Sequence, residues 1–254
     1  MTRLEEALRR HKPAFVPYLM AGDPDLETTE EMVRALARAG AAAIELGIPY
    51  GDPLADGPTI AAAAQRALVR GVTTRDVLEL TKRVGAEVPI VLFTYFNPVY
   101  KYGIERFAAD AAAAGASGVI VPDLALEEID ALQPTLENHG LAMPLLVAPT
   151  TPPSRAAQIA QRASGFVYVV SRLGVTGAGR APDLGPLREQ IAVLRAATNK
   201  PLAVGFGIST AEQVRAVAPL GDGIIIGSAL IDAYSGTTGK DAVTRVERLV
   251  QSLH

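Results

Sequence analysis

Two acidic residues, Glu45 and Asp56, lie in a segment that is otherwise apolar or rich in glycine and proline. Glu45 falls within the apolar run Ile44–Ile48, which is typical of a buried strand. Burial disfavours the charged form of a carboxyl group. We therefore expect the pKa of Glu45 to be raised, so that this side chain can both give and take a proton near neutral pH.

Asp56 belongs to the Gly- and Pro-rich loop that follows, and there we expect an ionised carboxylate open to solvent. Two carboxyl groups in unlike environments can divide acid and base roles. The alternatives are that Glu45 is a buried salt-bridge partner and that Asp56 only forms a turn before Gly57. We interpret Asp52 as a turn or contact residue and Asp123 as structural.

Other catalytic groups are poorly placed for chemistry. The three histidines are His11, His139 and His254, and they precede the first predicted strand, end a helix and end the chain. No lysine falls at the end of a predicted strand, which disfavours a Schiff base. No His, Asp and Glu grouping has metal-ligand spacing, and the absence of cysteine excludes disulfides and thiolates. The sequence therefore favours carboxylate acid–base chemistry without a metal.

Short apolar runs recur along the chain, and each is followed by a helix-patterned segment. The predicted strands are Phe15–Leu19, Ala43–Gly47, Ile90–Thr94, Gly118–Val121, Met143–Val147, Phe166–Val170, Leu202–Phe206 and Gly223–Ile226. The Val- and Ile-rich character suits parallel strands that are buried on both faces. This alternation predicts the α/β class: a single (β/α)8 TIM barrel over residues 1–254, with an extra N-terminal helix. A doubly wound open sheet is the alternative.

Glycines follow the last strands, where barrels commonly bind phosphate. Gly205 and Gly207 would let the backbone approach a ligand closely, and Gly227 with Ser228 stands where a short helix would begin and could bind an anion. The long loop after the sixth strand, from Arg172 to Pro182, could close over the site as a lid. The alternatives are tight turns for the glycines and an ordinary surface loop for that segment.

Composition excludes several partners. The net charge is −3, and we find no basic run of five residues, so neither nucleic acid nor an anionic membrane is indicated. No apolar stretch approaches the ~20 residues that cross a bilayer. The charged N-terminal segment does not resemble a secretory signal. We expect a cytoplasmic protein.

The acidic segment also resembles a known family. The run from Glu45 to Pro49, with Asp52 to Ile60, is similar to the signature of the tryptophan synthase alpha chain. Further similar segments follow in the expected order: Phe15–Tyr18 with Gly22–Pro24, Ser171–Gly177, Gly205–Ser209 and Gly227–Ser228. The resemblance spans nearly the whole chain. The acidic segment is the specific part, because many phosphate-binding barrels share such glycines.

The resemblance implies a lyase of tryptophan biosynthesis that cleaves indole-3-glycerol phosphate to indole and D-glyceraldehyde 3-phosphate by a retro-aldol reaction. By position, Glu45 matches the family's general acid–base residue and Asp56 the carboxylate that stabilises charge on the indole nitrogen. The implied substrate-binding residues are Tyr168, Tyr18, Ile60, Ile120, Phe206 and Thr176. The implied phosphate-binding residues are Gly177, Gly205, Gly207, Gly227 and Ser228.

The resemblance also implies a partner, the tryptophan synthase beta chain, in an alpha2beta2 tetramer. Pyridoxal phosphate is expected in that beta chain, and no cofactor is expected in this chain. The loops Gly51–Pro58 and Phe96–Tyr100 are candidate contacts. Three alternatives stay open: a stand-alone lyase, a non-catalytic activator of the beta chain, and another phosphate-binding barrel such as an isomerase. The intact acids argue against an activator, and the lack of a His or Lys at a strand end argues against an isomerase.

Overall fold

A computed structural model describes residues 1–171, 184–205 and 207–253. It contains eight strands: β1 Ala14–Met20, β2 Ile44–Gly47, β3 Ile90–Phe93, β4 Ala116–Ile120, β5 Leu145–Val147, β6 Val167–Val170, β7 Leu202–Gly205 and β8 Gly223–Ile226. Each coincides with a strand predicted from the sequence, with ends that differ by two residues at most. Nearly every strand residue is buried, as expected for strands covered on both faces.

The strands form one parallel sheet that closes on itself. Its order is β4-β3-β2-β1-β8-β7-β6-β5, so β1 pairs with both β2 and β8. Between β4 and β5 the sheet is completed by Ala142, which bridges Gly118 and whose carbonyl accepts a hydrogen bond of 2.8 Å from the Val119 amide. The pairing of β1 with β8 and this bridge between the β4 and β5 edges together confirm the barrel. They make the open doubly wound sheet wrong, because an open sheet leaves two unpaired edges.

Helices surround the barrel. They are α1 Arg3–Arg10, α2 Leu26–Arg38, α3 Pro58–Val69, α4 Thr74–Val84, α5 Phe96–Tyr102, α6 Ile104–Ala113, α7 Gln133–Asn138, α8 Pro153–Arg162, α9 Gly185–Ala197, α10 Ala211–Val217, α11 Ser228–Tyr234 and α12 Gly239–Leu253. Their periodicity predicted most of them. It did not predict α3, α5 or α7, which begin in segments rich in proline or aromatic residues that favour a loop interpretation.

Capping residues mark the ends of several helices. Thr73 and Thr210 each form a capping box, in which the hydroxyl accepts from the third helical amide and that residue's side chain accepts from the cap amide. Gly40 and Gly115, which follow α2 and α6, have φ values of 89° and 82°. That left-handed conformation favours glycine and ends each helix before the next strand.

Helix α1 covers the amino-terminal end of the barrel. Its buried Leu4 and Leu8 lie one turn apart on the same face. Leu4 lies against Gly165, just before β6, and the Arg3 guanidinium donates to the carbonyl of Gly85, which precedes β3. Because α1 covers this end, the interior of the barrel is reached from the carboxyl ends of the strands. Among the described residues, no helix is both long enough and apolar enough to span a membrane.

Candidate active site

A cavity of about 230 Å³ opens at the carboxyl ends of the strands. Its wall combines residues from β1, β2, β3, β6 and β8 with the start of α3 and the loops after β7 and β8. The lining residues are Tyr18, Glu45, Asp56, Gly57, Pro58, Thr59, Ile60, Phe93, Tyr168, Gly207, Ile208, Ile225, Gly227 and Ser228. The two acids singled out in the sequence therefore share one cavity.

Glu45 occupies the second strand, directly opposite Tyr18 of β1 in the parallel pair. The residue is 1% exposed, and its Oε1 atom hydrogen-bonds to none of the described residues. No ion pair to Glu45 occurs in the described part of the chain, which disfavours the salt-bridge interpretation. A buried carboxyl oxygen without a partner is costly unless the group is neutral or meets a ligand.

Burial raises the pKa of Glu45 from 4.5 to about 8. The cause is desolvation alone, which disfavours the carboxylate relative to the carboxylic acid. At pH 7 most Glu45 side chains therefore hold a proton and can act as hydrogen donors inside the cavity. This agrees with the expectation from the apolar run around the residue.

The expectation that Asp56 lies open to solvent is wrong. The residue is half-buried at the cavity wall, directly before the N-terminus of α3. Burial raises the pKa of Asp56 to about 6, and the hydroxyl of Tyr95 acts in the opposite direction. Asp56 is still mainly ionised at pH 7, so the two carboxyl groups differ in protonation at neutral pH, as their contrasting surroundings suggested.

Tyr95 was not identified as a functional residue from the sequence. It follows β3, is 2% exposed, and its hydroxyl accepts a hydrogen bond of 3.1 Å from the Ala55 amide. It also interacts with the neighbouring Asp56 carboxylate. Its position directly beyond a strand end was the only available signal, since a tyrosine there is as often structural as functional.

Two further tyrosines from opposite sides of the barrel meet the acids. Tyr18 and Tyr168 are each 4% exposed and line the cavity. Burial raises the pKa of both phenols, and the charges of Asp56 and Glu45 raise each one further. The tyrosines therefore lie within electrostatic reach of both carboxyl groups. The Tyr18 ring also meets Phe93 edge to face, with 5.7 Å between centroids.

The glycines divide into two groups. Gly207 and Gly227 line the cavity together with Ser228, the first residue of α11. Gly205 is not among the lining residues. A Cβ at that position would lie 2.7 Å from the Tyr168 hydroxyl, so the missing side chain makes room for a tyrosine, whereas the sequence suggested close approach to a ligand.

The remaining expected residues are also divided. Ile60 lines the cavity. Ile120 does not: it is fully buried at the end of β4, beside the lining residue Phe93. Thr176, Gly177 and Phe206 lie outside the described residues, as does the expected lid 172–182.

Asp123 and His139 have structural contacts away from the cavity. The Asp123 carboxylate accepts from the Phe96 amide at the start of α5, in agreement with its structural interpretation. His139 pairs with Glu105 at 2.8 Å on the outside of the barrel. No cluster of three or more potential metal ligands occurs among residues 1–171, 184–205 and 207–253.

The family model described as "Tryptophan synthase alpha chain" matches residues 4–254. The chain is 51% identical over 247 residues to the tryptophan synthase alpha chain of Gloeobacter violaceus, covering 96% of this chain and 89% of that protein. It is 46% identical over 252 residues to that of Methanosarcina barkeri, covering 99% and 94%.

Solved structures are similar over the same extent. Tryptophan synthase from M. tuberculosis in an aminoacrylate-bound form superposes with a TM-score of 0.89 at 34% identity, covering 100% of this chain and 98% of that chain. Tryptophan synthase subunit alpha from Legionella pneumophila has a TM-score of 0.87 at 36% identity, covering 100% and 97%.

Proposed function

Because the chain belongs to the tryptophan synthase alpha chain family, we propose that Glu45 and Asp56 are the two catalytic groups of its reaction. It is a lyase of tryptophan biosynthesis, and it cleaves indole-3-glycerol phosphate to indole and D-glyceraldehyde 3-phosphate. The observation that carries the residue assignment is the single cavity shared by a dry, protonated Glu45 and a mainly ionised Asp56.

Glu45 acts first as an acid. Breaking the bond between the indole ring and the glycerol chain requires a proton on the ring carbon that holds the chain. A carboxylic acid with a pKa of about 8 is mainly protonated at pH 7 and can supply that proton. The resulting positive charge spreads onto the indole nitrogen, where the Asp56 carboxylate stabilises it.

The bond then breaks as a proton is removed. After giving up its proton, Glu45 is a carboxylate and can accept the proton of the glycerol hydroxyl, directly or through a water. The electrons of that O–H bond form the aldehyde, and those of the carbon–carbon bond return to the ring and neutralise it. Indole and glyceraldehyde 3-phosphate leave, and Glu45 regains its proton.

The rest of the cavity holds the substrate. Tyr18, Tyr168 and Ile60 form an apolar wall suited to an indole ring. Gly207, Gly227 and Ser228 lie after β7 and β8, where backbone amides can bind phosphate. We assign Gly205 a supporting role behind Tyr168, and we retain Ile120, Thr176, Gly177 and Phe206 as substrate or phosphate contacts on the family resemblance alone.

We propose that the chain works with a tryptophan synthase beta chain, which would hold the pyridoxal phosphate, in an alpha2beta2 tetramer. The steps above consist of proton transfers and the cleavage of one carbon–carbon bond, so we propose that this chain needs no cofactor of its own. Leu54 belongs to the loop after β2 and is 79% exposed. The segment Phe96–Tyr100, expected to be a loop, is part of helix α5, and its Tyr100 is 66% exposed. Exposed apolar side chains there suit a protein contact.

The test is indole release from indole-3-glycerol phosphate by the purified chain, with and without a beta chain. Glu45→Gln keeps the shape of the side chain but cannot act as an acid, and kcat should fall by about 10²–10⁴-fold. The matched control is Glu79→Gln on α4, an exposed glutamate far from the cavity. Its activity should equal that of the wild type.

The same assay separates the alternatives. Full activity that a beta chain does not change would indicate a stand-alone lyase. A chain that releases no indole but activates a beta chain would indicate a non-catalytic activator. Wild-type activity in Glu45→Gln would overturn the catalytic assignment.

A further inference from the structure

We propose that Tyr95 is a positioning residue that holds Asp56 in place by binding both its backbone segment and its carboxylate. The inference rests on the proposed function, because it gives Tyr95 a role through Asp56. It concerns a side chain that does not line the cavity and that the sequence did not single out.

The contact joins two loops at neighbouring strand ends. Tyr95 follows β3, and its hydroxyl oxygen accepts from the amide of Ala55, forty positions earlier in the chain, at 3.1 Å. A phenol has one hydrogen to donate and can still accept, so the same hydroxyl can donate to the Asp56 carboxylate. One buried oxygen therefore fixes two consecutive residues of the loop.

The loop itself offers little other support. Its residues Gly51, Asp52, Leu54 and Ala55 are exposed, whereas Tyr95 is 2% exposed. A rigid side chain on the barrel therefore holds a segment with little burial of its own. The Tyr95 ring also packs on Tyr50, at the start of this loop, with 5.3 Å between centroids. Such rigid support is what a catalytic carboxylate needs to stay in register with its substrate.

The surrounding charges leave Tyr95 as the donor to Asp56. Besides Asp56, the ionisable group that acts on Tyr95 is the Asp123 carboxylate, from the loop after β4. The other groups that the charge of Asp56 reaches are the phenols of Tyr18 and Tyr168, which face the cavity near Glu45. Among the described residues, none of these groups around Asp56 and Tyr95 is a cation. The ionised form of Asp56 is therefore favoured by a hydrogen bond and not by an ion pair.

The test compares Tyr95→Phe with the wild type on the full chain. Removing the hydroxyl removes a donor to the carboxylate, so the acidic limb of the kcat/KM profile should move up by about one pH unit. At pH 6, kcat/KM should fall about fivefold. The titration of the Asp56 carboxyl carbon, followed by ¹³C NMR and assigned with Asp56→Asn, should show the same shift without relying on turnover.

Tyr50→Phe is the matched control. Its hydroxyl accepts from the Asn97 amide group at 3.2 Å and belongs to the same aromatic pair. The control should leave the acidic limb and the Asp56 titration unchanged. In an Asp56→Asn background, Tyr95→Phe should have less than about a twofold further effect, because the two residues act as a unit.

An unchanged Asp56 titration in a folded Tyr95→Phe protein would overturn the proposal, as would an equal shift in Tyr50→Phe. Failure of the catalytic assignment looks different: Asp56→Asn alone would then retain full activity. The two hypotheses are thus tested by different variants in one set of measurements.

Discussion

The hydroxyl of Tyr168 occupies the space that a side chain at Gly205 would need. The two residues lie on the paired strands β6 and β7, and a Cβ at Gly205 would be 2.7 Å from the hydroxyl oxygen and 3.0 Å from Ile225. A glycine at this position therefore sets where a cavity-lining tyrosine can stand.

Gly205→Ala should displace Tyr168 and damage the site. We expect a loss of about 1–3 kcal/mol in the free energy of unfolding, the usual cost of overpacking a core, and a fall in kcat/KM. Denaturant unfolding and steady-state kinetics measure the two effects. Gly51→Ala is the control, because the nearest atom to a Cβ at Gly51, apart from the adjacent residues, would be Cδ1 of Leu68, 3.9 Å away. Adding Tyr168→Phe should recover part of the lost stability, and no recovery would contradict the steric cause.

The pH dependence of kcat/KM should be bell-shaped, with an acidic limb near pH 6 and an alkaline limb near pH 8. Below about pH 6 Asp56 gains a proton and can no longer stabilise positive charge, and above about pH 8 Glu45 has lost the proton it must donate. The profile of kcat/KM reports the free enzyme and is the quantity to measure. Asp56→Asn should remove the acidic limb and leave the alkaline one. An alkaline limb that stays near pH 10 would assign proton donation to another group.

The free energy of unfolding should fall as pH rises from the pKa of Glu45 in the unfolded state to its pKa in the folded state. Its pKa is about 8 when folded and near 4.5 when unfolded, so the folded state binds more protons between these values. The contribution of Glu45 is full below pH 4.5 and is lost progressively up to pH 8, on the order of 5 kcal/mol in total. Denaturant unfolding across that range should show Glu45→Gln gaining on the wild type as pH rises. Parallel curves for the two proteins would mean that Glu45 is not held dry.

The ion pair between Asp23 and Arg66 should stabilise the fold around α3. Two bonds of 2.7 Å join the Arg66 guanidinium to the Asp23 carboxylate, which is 2% exposed. Arg66→Met would leave that carboxylate buried and unpaired. We expect about 2–3 kcal/mol of destabilisation, less than for a fully buried pair because the arginine is 41% exposed.

Arg70→Met provides the comparison for that experiment. Arg70 lies one turn further along, at the end of α3, and has no ion pair among the described residues. Its substitution should change the free energy of unfolding by less than about 0.5 kcal/mol. Thermal or denaturant unfolding of both variants decides the matter, and equal effects would show that the buried contact adds nothing specific.

The strands, most helices and the helix caps could be predicted from the sequence because they depend on local patterns. A buried parallel strand requires a continuous run such as Ile90–Phe93, and a capping box requires Thr73 and Asp76 at fixed spacing. Helix α3 was missed because Pro58 begins it, a residue that suits the first helical position as well as a loop.

Glu45 could be identified from the sequence because an acid inside an apolar run is unusual wherever that run ends up. The surroundings of Asp56, the support from Tyr95 and the pairing of Gly205 with Tyr168 depend on which strands become neighbours in the closed barrel. Those contacts join residues 37 to 40 positions apart, which meet because β2 pairs with β3 and β6 pairs with β7 in the barrel. The sequence alone determined that this chain contains a carboxyl group able to hold its proton. The tertiary structure decided which side chains surround that group, because burial and hydrogen bonding are properties of neighbours in space.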